Sequence, residues 1–220
     1  MRVSADAAPP VTAPARLRAE VAWPTLIMGI VFVGVGLGMM IDADFGVAPI
    51  DALFTAVSRT SGLSVGIVLA VLSILMVLMA WALGVRLALG TLVSFLGIAL
   101  CVDLTRAVGS ALGVTGWSLG VLIVWWVAGL AIFCLGVAGI FGADRGVSPY
   151  DLLTLAVSLR TGRSLGVSRL IVDAIALVGA IALGGSWGVG TVVILLAVPA
   201  TLNVVLPRVK SRLHRIGVTT

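Results

Sequence analysis

The sequence predicts an all-α polytopic integral membrane protein with about six transmembrane helices. These fall into two inverted three-span repeats, each carrying a short half-helix or re-entrant segment. Three observations predict it. First, 60% of the 220 residues are hydrophobic and only 10% are charged, with a mean hydropathy of +1.24, whereas soluble domains carry about 25% charged residues. Second, apolar runs long enough to cross a ~30 Å hydrocarbon core at 1.5 Å per residue recur along the chain. Third, one stretch is written twice: residues 43–66 and 143–166 are identical at 13 of 24 positions at an offset of 100, and a fixed-offset repeat sets the architecture.

Taken in order, residues 1–20 are rich in Ala and Pro with Arg2, Arg16 and Arg18, which reads as a disordered cytoplasmic tail. No apolar run follows Arg2 before Pro9 and Pro10, so a cleaved signal peptide is not expected. Repeat 1 is placed at 21–107, with spans at 21–41, 65–84 and 88–105 around the first copy of the signature. In the first span Trp23 reads as an interfacial anchor. Gly34 and Gly38 form a small-xxx-small pair that either packs a helix closely or is merely tolerated. A linker at 108–116 leads to repeat 2 at 117–207, with spans at 117–142, 165–183 and 189–206, the last interrupted by Pro199. A basic cytoplasmic tail at 208–220 closes the chain. Outside the signature, Gly29, Gly36, Ala80, Gly84, Gly90 and Thr91 recur as Gly129, Gly136, Ala180, Gly184, Gly190 and Thr191.

Three spans per half is an odd number, so the second half must sit upside down if each signature returns to the side it left. Arginine placement favours this. With the N-terminus inside, twelve basic residues fall inside or near the inner surface and only Arg59 and Arg106 fall outside, a strong positive-inside bias. The net charge of +5 is therefore read as topology rather than as affinity for nucleic acid. Expected partners are the lipid bilayer and a small-molecule or ion substrate.

The signature carries the candidate site. Proline suits the first turn of a helix and glycine the turn before it, so Gly46 with Pro49, and Gly146 with Pro149, mark two helix starts. Asp51 and Asp151 then occupy the third helical position, where a carboxylate meets the positive helix end, and Asp44 is a candidate cap. Pro49 to Thr60 is about 18 Å as a helix, roughly half a hydrocarbon core. Two placements stand: a half-helix that begins near the midplane after residues 42–48 dip inward, or an interfacial helix. Broken helices near the midplane form the sites of transporters built on inverted repeats. Tyr150 stands where Ile50 does in the first copy and makes one wall more polar.

Asp173 is costly near mid-membrane, about 2.5–3.5 kcal/mol on an insertion scale. Either it neutralises Arg169, four residues earlier on the same face, or it is a proton or cation site. Asp103 and Arg106, at i and i+3, read as a structural pair. Thr91, Thr191, Ser64 and Ser164 read chiefly as backbone-bonding hydroxyls, and Trp125 and Trp126 as packing or lipid-facing residues. Glu20 is the only glutamate and His214 the only histidine. No zinc-hydrolase helix, phosphate loop or Ser/His/Asp set can be assembled, and Cys101 and Cys134 lack ligand spacing. Neither an enzyme nor a metal or other cofactor is expected.

The run Gly46-Val47-Ala48-Pro49-Ile50-Asp51-Ala52-Leu53, the Ser-Gly-Leu-Ser-Val-Gly run at 61–66, and Gly90-Thr91 followed by Gly97 and Asp103 carry a resemblance. On them the chain resembles the YczE/YitT family of bacterial multipass membrane proteins, the YczE branch in particular, over nearly all of its length apart from the tails. The resemblance implies a multipass bacterial membrane protein and carries no reaction with it. Asn203 stands at the repeat-equivalent of Asp103, so the halves are not chemically equal. The expected function is a small secondary transporter or permease for a small solute. The competing expectation is a non-transporting accessory or assembly protein.

Overall fold

The computed structural model describes residues 19–85, 88–143, 145, 146, 148–198, 204 and 208. The expected N-terminal tail, nearly all of the basic C-terminal tail, Arg86, Asp144, Pro199 and Asn203 lie outside the described residues. In order, the helices are α1 (Ala19–Ala43), α2 (Pro49–Ser61), α3 (Val65–Ala82), α4 (Leu89–Ala111), a 3-10 turn (Val114–Gly116), α5 (Leu119–Ala143), α6 (Pro149–Thr161), α7 (Leu165–Ala182) and α8 (Val189–Val198). No strand occurs among the described residues.

Four helices are long and apolar enough to cross a membrane: α1, α3, α4 and α5. The α6–α7 pair, bent by 119° at its junction, makes a fifth if it counts as one broken span, and the described part of α8 is shorter. Apolar side chains also face outward. On α3 alone, Val71, Ile74, Leu75, Leu78 and Met79 are exposed, a distribution that fits lipid as the solvent rather than water.

Several boundaries differ from expectation. α1 runs to Ala43 and α4 to Ala111, so each helix consumes residues assigned to a loop or linker. The charged Asp42 and Arg106 do not end these helices but pair with each other, and the ladder runs on until Asp44 at φ 55° and Gly113 at φ 65° break it. The connection from α1 into α2 is thus shorter than the extended 42–48 stretch expected.

Glycine determines how the long helices meet. On α1, a Cβ at Gly34 would strike Cys101 and the Ile98 carbonyl, and one at Gly38 would strike Thr105. The small-xxx-small pair therefore has a packing role, and its partner is α4. The second glycine face of α1 meets α5. A Cβ at Gly29 would lie 2.9 Å from Gly136 O, and one at Gly129 would lie 2.9 Å from Gly36 O. Residue numbers rise along one helix as they fall along the other, so α1 and α5 run antiparallel, backbone against backbone.

The shorter helices cross between the halves. α2 packs on α7, and α3 packs on α6. These two pairings map onto each other under the 100-residue offset, so each half supplies the surface that the other half's short helix needs. Local chemistry fixes the helix ends. Pro49 and Pro149 open α2 and α6, and Gly62 (φ 73°) and Gly162 (φ 66°) close them in the left-handed conformation. Ser64 and Ser164 accept from Ile67 N and Val167 N and start α3 and α7. The Ser58 and Ser158 hydroxyls each donate 2.7 Å bonds to the carbonyl five residues on.

Gly36→Leu should force α1 from α5 and destabilise the chain by about 1–3 kcal/mol or more. Gly120→Leu, with open space around its Cβ position, should be close to neutral. Thermal melting of both variants in detergent checks the contrast.

Candidate functional site

A cavity of about 330 Å³ lies where the halves meet. Its lining follows the offset. Val33/Phe133, Leu37/Val137, Ala48/Ser148, Pro49/Pro149, Ile50/Tyr150, Asp51/Asp151, Leu69/Arg169, Ser73/Asp173, Phe95/Leu195 and Ile98/Val198 all contribute as repeat-equivalent pairs. Equivalent positions of both halves therefore line one cavity. Val33 and Leu37 are the fifteenth and nineteenth residues of α1, as Phe133 and Val137 are of α5. Because those helices are antiparallel, the cavity lies between their ends and not at either end. The first turns of α2 and α6 both reach it.

The two halves place different chemistry at matching positions. In the second half Ser148 Oγ accepts from Asp151 N at 3.1 Å and lies 2.8 Å from Asp151 Oδ2. Arg169 Nη1 forms an ion pair with Asp151 Oδ1 at 3.0 Å, and the guanidinium stacks over the Tyr150 ring at 4.8 Å. In the first half the corresponding positions hold Ala48, Leu69 and Ile50. Asp51 is consequently 9% exposed, and its carboxylate has no hydrogen bond or ion pair among the described residues. Two small substitutions separate a satisfied aspartate from an unsatisfied one.

Asp173 also lines the cavity, with Ser73 opposite it by the offset. Arg169 pairs with Asp151 and not with Asp173, so the first of the two readings offered for Asp173 is corrected. An arginine at i−4 has reach in two directions, and the carboxylate on the neighbouring helix α6 is the one it meets. The Tyr150 hydroxyl lies beside Asp173 but completes no hydrogen bond by strict geometry, and it is buried.

The expected Asp103–Arg106 pair is likewise corrected. Asp103 accepts from Ser64 Oγ at 2.5 Å and from Gly66 N at 2.7 Å, holding the start of α3. Arg106 Nε reaches back to Asp42 Oδ1 at 3.3 Å. Both helix-end donors and Asp42 lie on other elements, where sequence spacing cannot see them. Neither residue lines the cavity. Thr91, Thr191, Ser64 and Ser164 do not line it either; the Ser64, Ser164 and Thr191 hydroxyls accept from backbone N–H groups, and Ser64 donates to Asp103.

Gly46 stands behind the site. At φ 112° it takes a backbone conformation that favours glycine, and a Cβ there would lie 2.7 Å from Gly188 N and 2.8 Å from Thr191 Oγ1. Gly146 meets Thr91 in the same way, at 2.8 Å from its N and 2.9 Å from its Oγ1. Each signature glycine thus seats on the Gly-Thr pair of the opposite half. Gly190 N donates to Phe45 O at 2.9 Å, and Val47 N to Ser186 O at 3.2 Å. Asp44 does not cap α2. It accepts from Arg59 Nη2 at 2.9 Å and from Ser186 Oγ, while Arg59 Nη1 donates to Gly184 O at 2.9 Å. Sequence reasoning missed Trp126, which is buried and donates from Nε1 to Gly46 O at 2.9 Å. The available signal was an indole inside an apolar run, since a buried Trp N–H finds an acceptor.

Of the residues singled out from sequence, Asp51, Asp151, Asp173, Pro49, Pro149, Gly146, Tyr150 and Arg169 converge on one cavity, and Gly46, Asp103 and Arg106 support it from outside. A family model described as "Family of unknown function (DUF6198)" matches residues 21–207. The chain is 29% identical over 186 residues to the uncharacterized protein YyaS of Bacillus subtilis (strain 168), covering 83% of this chain and 91% of that protein. No solved structure matches.

Arg169→Leu, which copies the first half, should leave Asp151 buried without its cation and cost up to about 3 kcal/mol. Adding Asp151→Asn should recover most of the loss, and melting temperatures of the single and double variants check this.

Proposed function

The chain belongs to the DUF6198 family of unknown function, and on that footing we propose that it is a small secondary transporter or permease of the bacterial inner (plasma) membrane. Six spans form two inverted three-span repeats, and a small solute binds where they meet. α2 and α6 are half-helices that start at depth from opposite faces. The protein works without a cofactor and is not an enzyme. The likeness to the YczE/YitT family belongs to the same reading, because its motif residues build the first turns of α2.

One observation carries the proposal: a central cavity lined by ten repeat-equivalent pairs, with aspartates on two helix starts. A site on the axis between inverted halves can open to either side by rocking one half against the other. The antiparallel crossing of α1 and α5 supports the inversion. So does charge, since the two arginines assigned outside, Arg59 and Arg106, are the ones matched by Asp44 and Asp42 at the end of α1. On this topology both termini are cytoplasmic, and 108–116 is on the far side.

In a background lacking Cys101 and Cys134, Ala48→Cys and Ser148→Cys should both react with a small aqueous methanethiosulfonate and be shielded from a bulky polymer maleimide. Reactivity of both with the bulky reagent would place the helices at the surface and sink the half-helix model. In proteoliposomes loaded with a panel of amines, amino acids, sugars and organic acids, Asp51→Asn and Asp173→Asn should each lower the initial flux by about tenfold or more, about 1.4 kcal/mol of lost site free energy. Absence of flux for every panel member would favour the accessory role instead.

A further inference from the structure

We infer that the cavity takes an organic monocation with an apolar body, a tertiary or quaternary amine, held between Asp51 and Asp173. This substrate class rests on the transporter reading above and assigns its site a charge and a shape.

The charge follows from a count among the described lining residues. Three carboxylates (Asp51, Asp151 and Asp173) face one cation, Arg169. That cation is committed, since its guanidinium pairs with Asp151 at 3.0 Å and covers the Tyr150 ring at 4.8 Å. Asp51 is nine-tenths buried, lines the cavity and has no partner among the described residues. Asp173 has no ion pair there either. A buried carboxylate without a partner is costly, and a ligand that brings the missing cation relieves that cost. The positive ends of α2 and α6 do not reverse this preference, because each already meets its own aspartate in the first turn.

The shape excludes a bare metal ion. Hard cations take six or more oxygen ligands, whereas most of this wall is hydrocarbon and aromatic. Four of the six phenylalanines, Phe54, Phe95, Phe133 and Phe141, line it together with the only tyrosine. Aromatic faces attract weakly hydrated ammonium groups; Arg169 already uses the Tyr150 face in this way, and the four phenylalanine rings remain for a ligand. At about 330 Å³ the cavity is at the small end for ligand pockets, which suits a compact amine.

The test is calorimetric titration of the purified full-length chain in nanodiscs with benzyltrimethylammonium, with 3-phenylpropionate as an anion of similar body. The ammonium should bind at one site and the anion at least about tenfold more weakly. Asp51→Asn and Asp173→Asn should each weaken ammonium binding by about tenfold or more. Leu69→Arg gives Asp51 the partner that Asp151 has, and should abolish ammonium binding. If that variant does not fold, the near-isosteric asparagine variants still decide. Equal binding of the anion, or ammonium binding indifferent to both asparagine variants, overturns the inference. Asp51-dependent binding of the ammonium without its counterflow in proteoliposomes overturns transport and leaves the site. Asp51-dependent flux of an anion leaves transport and overturns the amine.

Discussion

The antiparallel contact of α1 with α5 is the constraint on which the remaining geometry depends. Four glycines, two per helix, bring the backbones so close that any side chain at those positions would overlap a carbonyl or a neighbouring residue. Lipid tails are as apolar as leucine, so helices in a bilayer gain little from burying leucine against leucine. Close packing and backbone proximity hold them together instead. Once α1 and α5 are fixed at this crossing, the pairs Val33/Phe133 and Leu37/Val137 all face one cavity. α2 and α6 can then be accommodated only by packing on the other half's α7 and α3. The cavity is what remains between these elements.

The 100-residue offset is followed by the helix pairings and broken by the side chains. Each half begins a short helix with Pro and Asp, yet only the second half surrounds its aspartate with Ser148 and Arg169. A duplicated site that kept both ion pairs would be electrically closed. With Leu69 and Ala48 at the positions of Arg169 and Ser148, the first half's carboxylate faces a cavity whose only cation among the described lining residues is already engaged. The same substitutions make the first half's wall more apolar, through Ile50 and Leu69.

Much of this was legible in the sequence because it is local or periodic. The starts of α2 and α6 follow from Pro49 and Pro149, their ends from Gly62 and Gly162, and the equivalence of the halves from a gapless offset. The repeat brought Asp51 and Asp151 together in the sequence reading, whereas Asp173 stood out only by its cost in an apolar span. What escaped was the choice of partner. Arg169 and Asp173 are well spaced for an i,i+4 pair, but spacing says nothing of Asp151 approaching from another helix. Asp103 looked like the partner of Arg106 and instead holds Ser64 and Gly66. Trp126 and Gly46 are 80 positions apart, and only the fold makes them donor and acceptor. Helix ends escaped for a different reason: Asp42 and Arg106 read as the ends of apolar spans, but they pair with each other and the helices run past them.

The reciprocal seating of Gly46 and Gly146 has a consequence in time. Gly146 meets Thr91, which was synthesised 55 residues earlier (146 − 91), whereas Gly46 meets Gly188, which is made 142 residues later (188 − 46). At about 5–20 residues per second, a ribosome needs roughly 7–28 seconds to cover that distance. Throughout that interval the first loop lacks the backbone partners Ser186 and Gly190 that it meets in the finished fold. The second loop arrives at a surface that already exists. Two nearly identical segments therefore have different histories. One meets its partner soon after it is made, and the other completes its contacts only when the far end of the chain has been made.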